Sequence, residues 1–140
     1  MKFMIIRKAD AETEAGAMPS QELIDQMMEY NEKLVKSGIM KDGNGLLPSA
    51  KGARVNFNAG KPTVVDGPFT EAKELIAGYS IIEADSLAAA IDIVKEWPTV
   101  DAHGHVQLEI RQVITAEDLG FSDEQIARDA RTRQQAQQQQ

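Results

Sequence analysis

The sequence contains no cysteine, which excludes disulfide bonds, thiolate catalysis and thiolate metal ligands from this chain of 140 residues. Aromatic residues are few, at 5%, and positive charge is in deficit: 15 Lys and Arg stand against 22 Asp and Glu, for a net charge of −7. Because nucleic-acid surfaces need clustered Lys and Arg, no nucleic-acid partner is expected. The hydrophobic fraction of 42% is still sufficient for the core of one domain.

Long hydrophobic runs are missing as well. The apolar stretch in residues 1–8 is far shorter than a membrane span or the hydrophobic region of a signal peptide. We therefore expect a cytoplasmic protein with no membrane partner. The glycines follow no nucleotide-binding fingerprint, so we predict no cofactor. No nucleophile elbow surrounds a serine, so serine hydrolysis is not predicted either.

Hydrophobic periodicity predicts alternating strands and helices. Apolar residues at helical spacing run from Ser20 to Gly38, and a second run begins after Ser86 and ends before Pro98, so two helices are predicted. The turn-rich segment Asp42-Gly43-Asn44-Gly45 is expected to be irregular. Short apolar or alternating segments predict five strands, the second and third forming a hairpin; they cover residues 3–7, 54–57, 63–65, 79–83 and 105–114.

The resulting order, β-α-β-β-β-α-β, fits an α+β ferredoxin-like sandwich. In that fold two helices cover one face of an antiparallel sheet, and we expect the first and last strands to be central. The other sheet face must then be solvated, line a cavity or meet a partner. Met4, Ile6, Phe57 and Ile81 would supply apolar area for contact, so a homodimer is expected.

The most informative segment is Asp66-Gly67-Pro68-Phe69. It combines a carboxylate at a strand end, a glycine with free backbone angles, a proline with fixed φ and an apolar anchor. Taken alone, Asp-Gly-Pro is also ordinary turn chemistry. Together with residues 70–74, with residues 1–4 and with residues 110–113, the segment resembles the YCII-related (DGPF) family of small bacterial proteins.

The resemblance extends over residues 1–118. It implies the same ferredoxin-like fold, paired in a homodimer as a dimeric α+β barrel with a cavity at or near the interface. Residues 119–140 lie outside it. A capping box beginning at Ser122 and a glutamine-rich end predict a C-terminal tail that is either a short helix or disordered.

Asp66 is the strongest catalytic candidate, because a carboxylate at a strand-to-turn junction is well placed to face a pocket. The alternative is that Asp66 only caps the turn. Lys73 and Glu74 are candidates for flanking the same site as ligand-binding residues. Neighbouring residues of a helical turn do not face each other, so at most one of the two is expected to point toward Asp66.

A polar stripe on the last predicted strand is the second candidate site. Gln107, Glu109 and Arg111 alternate with the apolar residues of that strand, and Arg7 and Arg54 on other strands could join them. Arginine suits planar anions, so we predict that Arg7, Arg54, Glu109 and Arg111 help to bind a small polar or anionic metabolite. A solvated sheet edge is the alternative interpretation.

Asp101, His103 and His105 occur at alternate positions, a spacing that an Asp/His metal site can use in an extended chain. Gly104 interrupts the pattern inside a predicted loop, and a further recognised ligand is missing. We therefore predict no metal site.

Two functions stay open at this point. The first is a homodimeric enzyme for an unknown small molecule, with Asp66 as its acid or base. The second is a non-catalytic ligand-binding or accessory module, because relatives in the family that the chain resembles are often associated with bacterial sigma factors. The sequence does not decide between catalysis and binding.

Overall fold

The structure, a computed structural model, describes residues 1–139 as six β-strands, four α-helices and three short 3₁₀-helices. In chain order the strands and α-helices are β1 (Lys2–Lys8), α1 (Ala11–Glu14), α2 (Gln21–Lys36), β2 (Met40–Gly45), β3 (Ala53–Asn58), β4 (Lys61–Asp66), β5 (Ile76–Glu83), α3 (Leu87–Val94), β6 (Leu108–Gln112) and α4 (Asp123–Gln138). The 3₁₀-helices are Ser49–Lys51, Ala72–Glu74 and Asp101–Gly104.

Four strands form an antiparallel sheet in the order β2-β5-β1-β6, and β3 pairs with β4 in a separate two-stranded ribbon. This is the mixed α+β architecture that the sequence predicted, and it is consistent with a ferredoxin-like fold. The expectation that the last strand is central is wrong, because β1 and β5 occupy the centre and β6 lies at an edge. The hairpin also leaves the main sheet, since β2 takes the place beside β5.

Strand β2 includes the segment that was expected to be irregular. A Cβ atom at Gly43 would meet the Ser80 side chain at 3.3 Å, and one at Gly78 would meet the Asn44 carbonyl oxygen at 3.1 Å. A side chain at either position would therefore be crowded, because β2 and β5 approach each other closely. Residues that favour turns when considered locally serve strand packing in this fold.

The core lies between the sheet and the helices. Phe3 and Ile5 on β1, Ile82 on β5 and Ala90 on α3 are fully or almost fully buried. Both predicted helices are confirmed, and each begins at a serine cap: Ser20 Oγ accepts the Leu23 N–H at 3.1 Å, and Ser86 Oγ accepts the Ala89 N–H at 3.1 Å. Helix α3 is shorter than predicted and ends at Val94.

The sheet face opposite these helices carries a mixed set of side chains. Because alternate residues of a strand point to opposite faces, the neighbours of the buried core positions lie on this side. Met4 pairs with Ile81, and Ile6 pairs with both Tyr79 and Glu109. We call this the open sheet face; it consists of Met4, Ile6, Tyr79, Ile81, Glu109 and Arg111.

The C-terminal segment is helical as far as it is described. Ser122 begins α4 with the capping box that the sequence predicted, and no residue of α4 is buried. Gln140, the last residue of the predicted tail, lies outside the described residues. Within residues 1–139, no helix combines the length and the apolar character that crossing a membrane requires.

Candidate functional site

A cavity of about 1260 Å³ opens at one end of the sheet, between β1, β2, β5 and the loops that follow β1 and α3. We call it the cleft. Two aromatic residues, Tyr79 and Trp97, contribute to its wall. The titratable Arg, Asp, Glu and His side chains among its described lining residues are Arg7, Asp10, Glu12, Glu22, Asp101 and His103.

An ion pair between Arg7 and Asp101 forms the most buried polar contact of the cleft. The two side chains are 12% and 6% exposed, respectively. Arg7 Nη2 donates to Asp101 Oδ1 at 2.7 Å, and Arg7 Nε donates to Oδ2 at 3.3 Å. The Trp97 indole N–H donates to the same Oδ2 at 2.9 Å. The buried carboxylate is therefore held by a two-point arginine contact and by an indole.

Arg7 also contacts a second carboxylate. Its Nη1 donates to Asp10 Oδ2 at 3.2 Å and to the Lys8 carbonyl oxygen at 2.8 Å. Burial alone would lower the pKa of Arg7, but hydrogen bonding and charge from Asp101, with those from Asp10, raise that pKa above its ordinary value. Arg7 stays charged and serves to neutralise the two acids.

The loop that carries Asp101 has a strained backbone. Ala102 and His103 lie in the left-handed region, with φ of 52° and 56°. Such conformations cost about 1–3 kcal/mol each in residues other than glycine, and they persist where surrounding contacts enforce them. Here the contacts are those of Asp101 with Arg7 and Trp97. The strain therefore falls at the wall of the cleft.

His103 pairs with Glu12 at the wall of the cleft. Its Nε2 lies 3.0 Å from both carboxylate oxygens of Glu12, and the two side chains are 78% and 63% exposed. Glu12 is positioned by α1, whose start is set by reciprocal bonds between Asp10 and Thr13. Asp10 thus links the Arg7 ion pair to the short helix that presents Glu12.

Replacing Asp10 by asparagine is expected to make stability less sensitive to acid. Burial alone would raise the pKa of Asp10, but bonds from Thr13 and the charge of Arg7 lower that pKa below its ordinary value. Such a carboxylate stabilises the fold above its unfolded pKa of about 3.9, and the contribution is lost as pH falls through the lower folded value. Urea unfolding at a series of pH values measures this loss.

Wild-type protein should lose more stability below about pH 4 than the Asp10→Asn variant does. Asp66→Asn is the matched control, because it makes the same exchange of carboxylate for amide at an exposed position that accepts no hydrogen bond from residues 1–139. If the free energy of unfolding fell equally with pH below about pH 4 in wild type and in Asp10→Asn, the role assigned to Asp10 would be contradicted.

The Asp66–Phe69 segment packs against the 3₁₀-helix Ser49–Lys51 beside the cleft. Gly67 N–H donates to the Gly52 carbonyl oxygen at 3.0 Å, and Phe69 N–H donates to Ser49 Oγ at 3.0 Å. Ser49 is held in turn by Glu14, whose carboxylate accepts both the Ser49 hydroxyl and its backbone N–H. These contacts give the motif a structural role in joining the β3–β4 ribbon to the rest of the chain.

Asp66 itself ends β4, opposite Ala53, with its side chain exposed. It does not belong to the described lining of the cleft. Neither a pocket position nor a hydrogen bond that caps the turn is seen for it among residues 1–139. Its catalytic role stays a prediction that the geometry does not favour.

The other predicted binding residues are distributed over the surface. Arg54 stacks on the Phe69 ring at 3.9 Å from the ring centroid, Lys73 and Glu74 are exposed in the 3₁₀-helix Ala72–Glu74, and the Glu109–Arg111 ion pair of 3.5 Å lies on the open sheet face. Among the predicted site residues, Arg7 lies in the cleft. The structure does not bring the set together, and the binding roles of the others stay predictions.

Sequence reasoning missed the partners of Arg7. Asp101 lies 94 positions from Arg7, and Glu12 lies 91 positions from His103. The sequence spacing of Asp101 and His103 suggested metal ligands, but in the fold Asp101 contacts Arg7 and His103 contacts Glu12. Within residues 1–139, no group of three or more His, Asp or Glu side chains is arranged to hold a metal ion. The one local signal available was the cap at Asp10, two residues after the end of β1.

Comparison with known proteins identifies the family. A curated relative, the uncharacterized protein R00369 of Rhizobium meliloti (strain 1021), is 34% identical over 64 residues, which span 46% of this chain and about half, 52%, of that protein. A similar solved structure is 5-chloro-2-hydroxyhydroquinone dehydrochlorinase (TftG) from Burkholderia phenoliruptrix AC1100 in complex with 2,5-dihydroxybenzoquinone, with a TM-score of 0.45, 18% identity, and coverage of 84% of this chain and 97% of that chain. The model of the YCII-related domain matches residues 1–116, so the family predicted from the sequence is confirmed and the chain belongs to the YCII-related family.

Proposed function

We propose that this protein binds a small polar metabolite in the cleft and that His103, oriented by Glu12, acts on it as a general base or acid. The observation that carries the proposal is the 3.0 Å contact between the imidazole and the carboxylate at the wall of a cavity of about 1260 Å³. An imidazole oriented by a carboxylate is a common arrangement for moving protons near neutral pH.

The contact implies which tautomer a neutral His103 adopts beside an ionised Glu12. An ionised Glu12 only accepts hydrogen bonds, so neutral His103 carries its proton on Nε2. Nδ1 is then an acceptor, and it has no hydrogen-bond partner among residues 1–139. A ligand hydroxyl or activated C–H that reaches Nδ1 would give up its proton there, while Glu12 stabilises the resulting imidazolium.

The charges of the lining refine the ligand class. Arg7 is paired with Asp101 and Asp10, and Glu12 and Glu22 add further negative charge. The guanidinium is thus already neutralised within the described part of the cleft. Of the polar or anionic metabolites that the sequence suggested, this lining favours neutral ones, and it extends the range to cationic ones.

The proposal also includes a homodimer. Pairing of two open sheet faces would bury Met4, Ile6 and Ile81 and would produce the dimeric α+β barrel that the family resemblance implies. Glu109 and Arg111 would then remain paired with each other at the edge of the contact. Neither the acid–base role of His103 nor the homodimer requires a cofactor.

Thermal-shift titration against neutral polyols and phenols, amines, carboxylates and phosphates tests the binding site. We expect stabilisation by a neutral or cationic class in wild type, and loss of that shift in His103→Asn and Glu12→Gln. His105→Asn is the matched control, because His105 is the only other histidine of the chain and lies outside the described lining. Asp66→Asn is measured in parallel.

The outcomes separate the candidate sites. A ligand shift that survives in His103→Asn and Glu12→Gln but disappears in Asp66→Asn would contradict the cleft proposal and support the role predicted for Asp66. A shift that needs the cleft pair, without chemical turnover of the ligand by mass spectrometry, would replace acid–base catalysis by ligand binding alone.

A further inference from the structure

The β3–β4 ribbon has little support from its own chain. All residues of both six-residue strands are exposed. A two-stranded hairpin is at best marginally stable in water unless one of its faces packs against something else. In a protein whose other strands form a four-stranded sheet with a buried core, this ribbon is therefore an incomplete element.

The two faces of the ribbon differ in chemistry. Val55 pairs with Val64, and Phe57 pairs with Pro62, so these four side chains share one face, which we call the apolar ribbon face. Val55, Val64 and Phe57 are 56%, 68% and 70% exposed. Contiguous exposed apolar side chains of this kind mark interaction surfaces.

The opposite face of the ribbon is turned toward its own chain at its base. Arg54 belongs to that face, and its guanidinium stacks on Phe69. Asn56 and Thr63, the next cross-strand pair on the same face, are polar. The apolar ribbon face consequently points away from the contacts that the chain makes with its own ribbon.

We infer that the apolar ribbon face packs against a second copy of this chain, so that the ribbon is a dimerisation arm. Charge complementarity supports this occupant. The ribbon, residues 53–66, contains Arg54 and Lys61 against one acid, Asp66, for a net charge of +1, whereas the whole chain carries −7 and the remainder therefore carries −8. A basic arm with an apolar face is complementary to a second copy of the acidic body.

The second copy also offers apolar surface for the arm to cover. The open sheet face provides Met4, Ile6 and Ile81, bordered by the acidic side chains of Asp42 and Glu83. An arm that reaches the margin of this face would enclose the contact between the two sheets. The inference rests on the homodimer of the proposed function and adds the element that secures it.

Sedimentation equilibrium over a dilution series tests the arm with matched variants. Phe57→Asp combined with Val64→Asp places two acids on the apolar ribbon face. Asn56→Asp combined with Thr63→Asp places the same charges on adjacent positions of the same strands, but on the polar face. The dimer Kd should rise at least about tenfold in the first variant and change by less than about twofold in the second. Circular dichroism verifies that both variants keep the fold.

A third variant, Ile81→Asp, tests the open sheet face by itself. One outcome would overturn the arm and leave the proposed homodimer intact. In that outcome, Ile81→Asp raises the dimer Kd, but Phe57→Asp/Val64→Asp raises it no more than its control, Asn56→Asp/Thr63→Asp, does. Wild-type protein that is monomeric throughout the dilution series would overturn both. Weakening by both ribbon variants to the same extent would also overturn the arm, because charge alone would then explain the effect.

Discussion

Replacing Arg7 by methionine is expected to lower the free energy of unfolding by about 3–5 kcal/mol, the range found when one partner of a buried ion pair is removed. Asp101 would remain as a carboxylate that is 6% exposed, with the Trp97 indole as its remaining side-chain donor among the described contacts. Desolvation of an uncompensated charge is the dominant cost. Urea unfolding monitored by the fluorescence of Trp97, the only tryptophan in the chain, measures the loss.

Two further variants isolate the charge from the loss of side-chain packing. Arg7→Met combined with Asp101→Asn removes both charges and retains an acceptor for the Trp97 indole, so most of the stability should return. Arg54→Met removes an exposed arginine that stacks on Phe69, and it should cost about 1 kcal/mol or less. An Arg7→Met loss as small as that of Arg54→Met would show that the ion pair is not a determinant of stability.

Replacing Gly67 by alanine is expected to destabilise the protein by about 1–3 kcal/mol, the usual cost of forcing atoms into a packed site. A Cβ atom at this position would overlap the carbonyl group of Ser49, so the backbone would have to move. That movement would break the bonds of Gly67 with Gly52 and of Phe69 with Ser49. Chemical denaturation quantifies the loss, and hydrogen exchange should show faster exchange of the Gly67 and Phe69 amides.

Gly52→Ala is the matched control for this substitution. Gly52 lies in the same contact region, has an extended backbone, and a Cβ atom there would meet the Ser49 carbonyl oxygen at an ordinary distance of 3.6 Å. Its expected effect is within about 0.5 kcal/mol of wild type. Equal effects of the two alanines would contradict the steric explanation for glycine in the Asp66–Phe69 segment.

The elements with strong local signals were predictable. Ser20 and Ser86 mark helix starts because their hydroxyls satisfy backbone N–H groups a few residues away. The hairpin was visible because β-branched and alternating residues flank a short loop. Strand β2 was missed because Gly43 and Gly45 favour a turn when only the local sequence is considered. In the fold, both residues pair with β5.

The candidate site depends on contacts that no local pattern contains. The sequence pointed to Asp66 because of its motif, but the polar pairs of the cleft join Arg7 on β1 and Glu12 just beyond it to a strained loop more than 90 positions later. Arg7 was predicted on a strand, and the cap at Asp10 is a second local signal that was not used. Neither signal identifies Asp101 or His103 as a partner, because pairing at that separation is decided by how the sheet and loops pack.

By itself, the sequence determined the absence of thiol chemistry, the acidic charge, the α+β class, the two main helices and the YCII-related family. The family follows from the resemblance of its sequence motifs, and the other features follow from composition or from interactions between residues close together in the chain. The tertiary structure decided the strand order, the exposure of the β3–β4 ribbon and the meeting of Glu12 with His103. These depend on long-range packing. Burial of Phe3, Ile5 and Ile82 brings distant segments of the chain together. The polar side chains of these segments then pair where the loops meet.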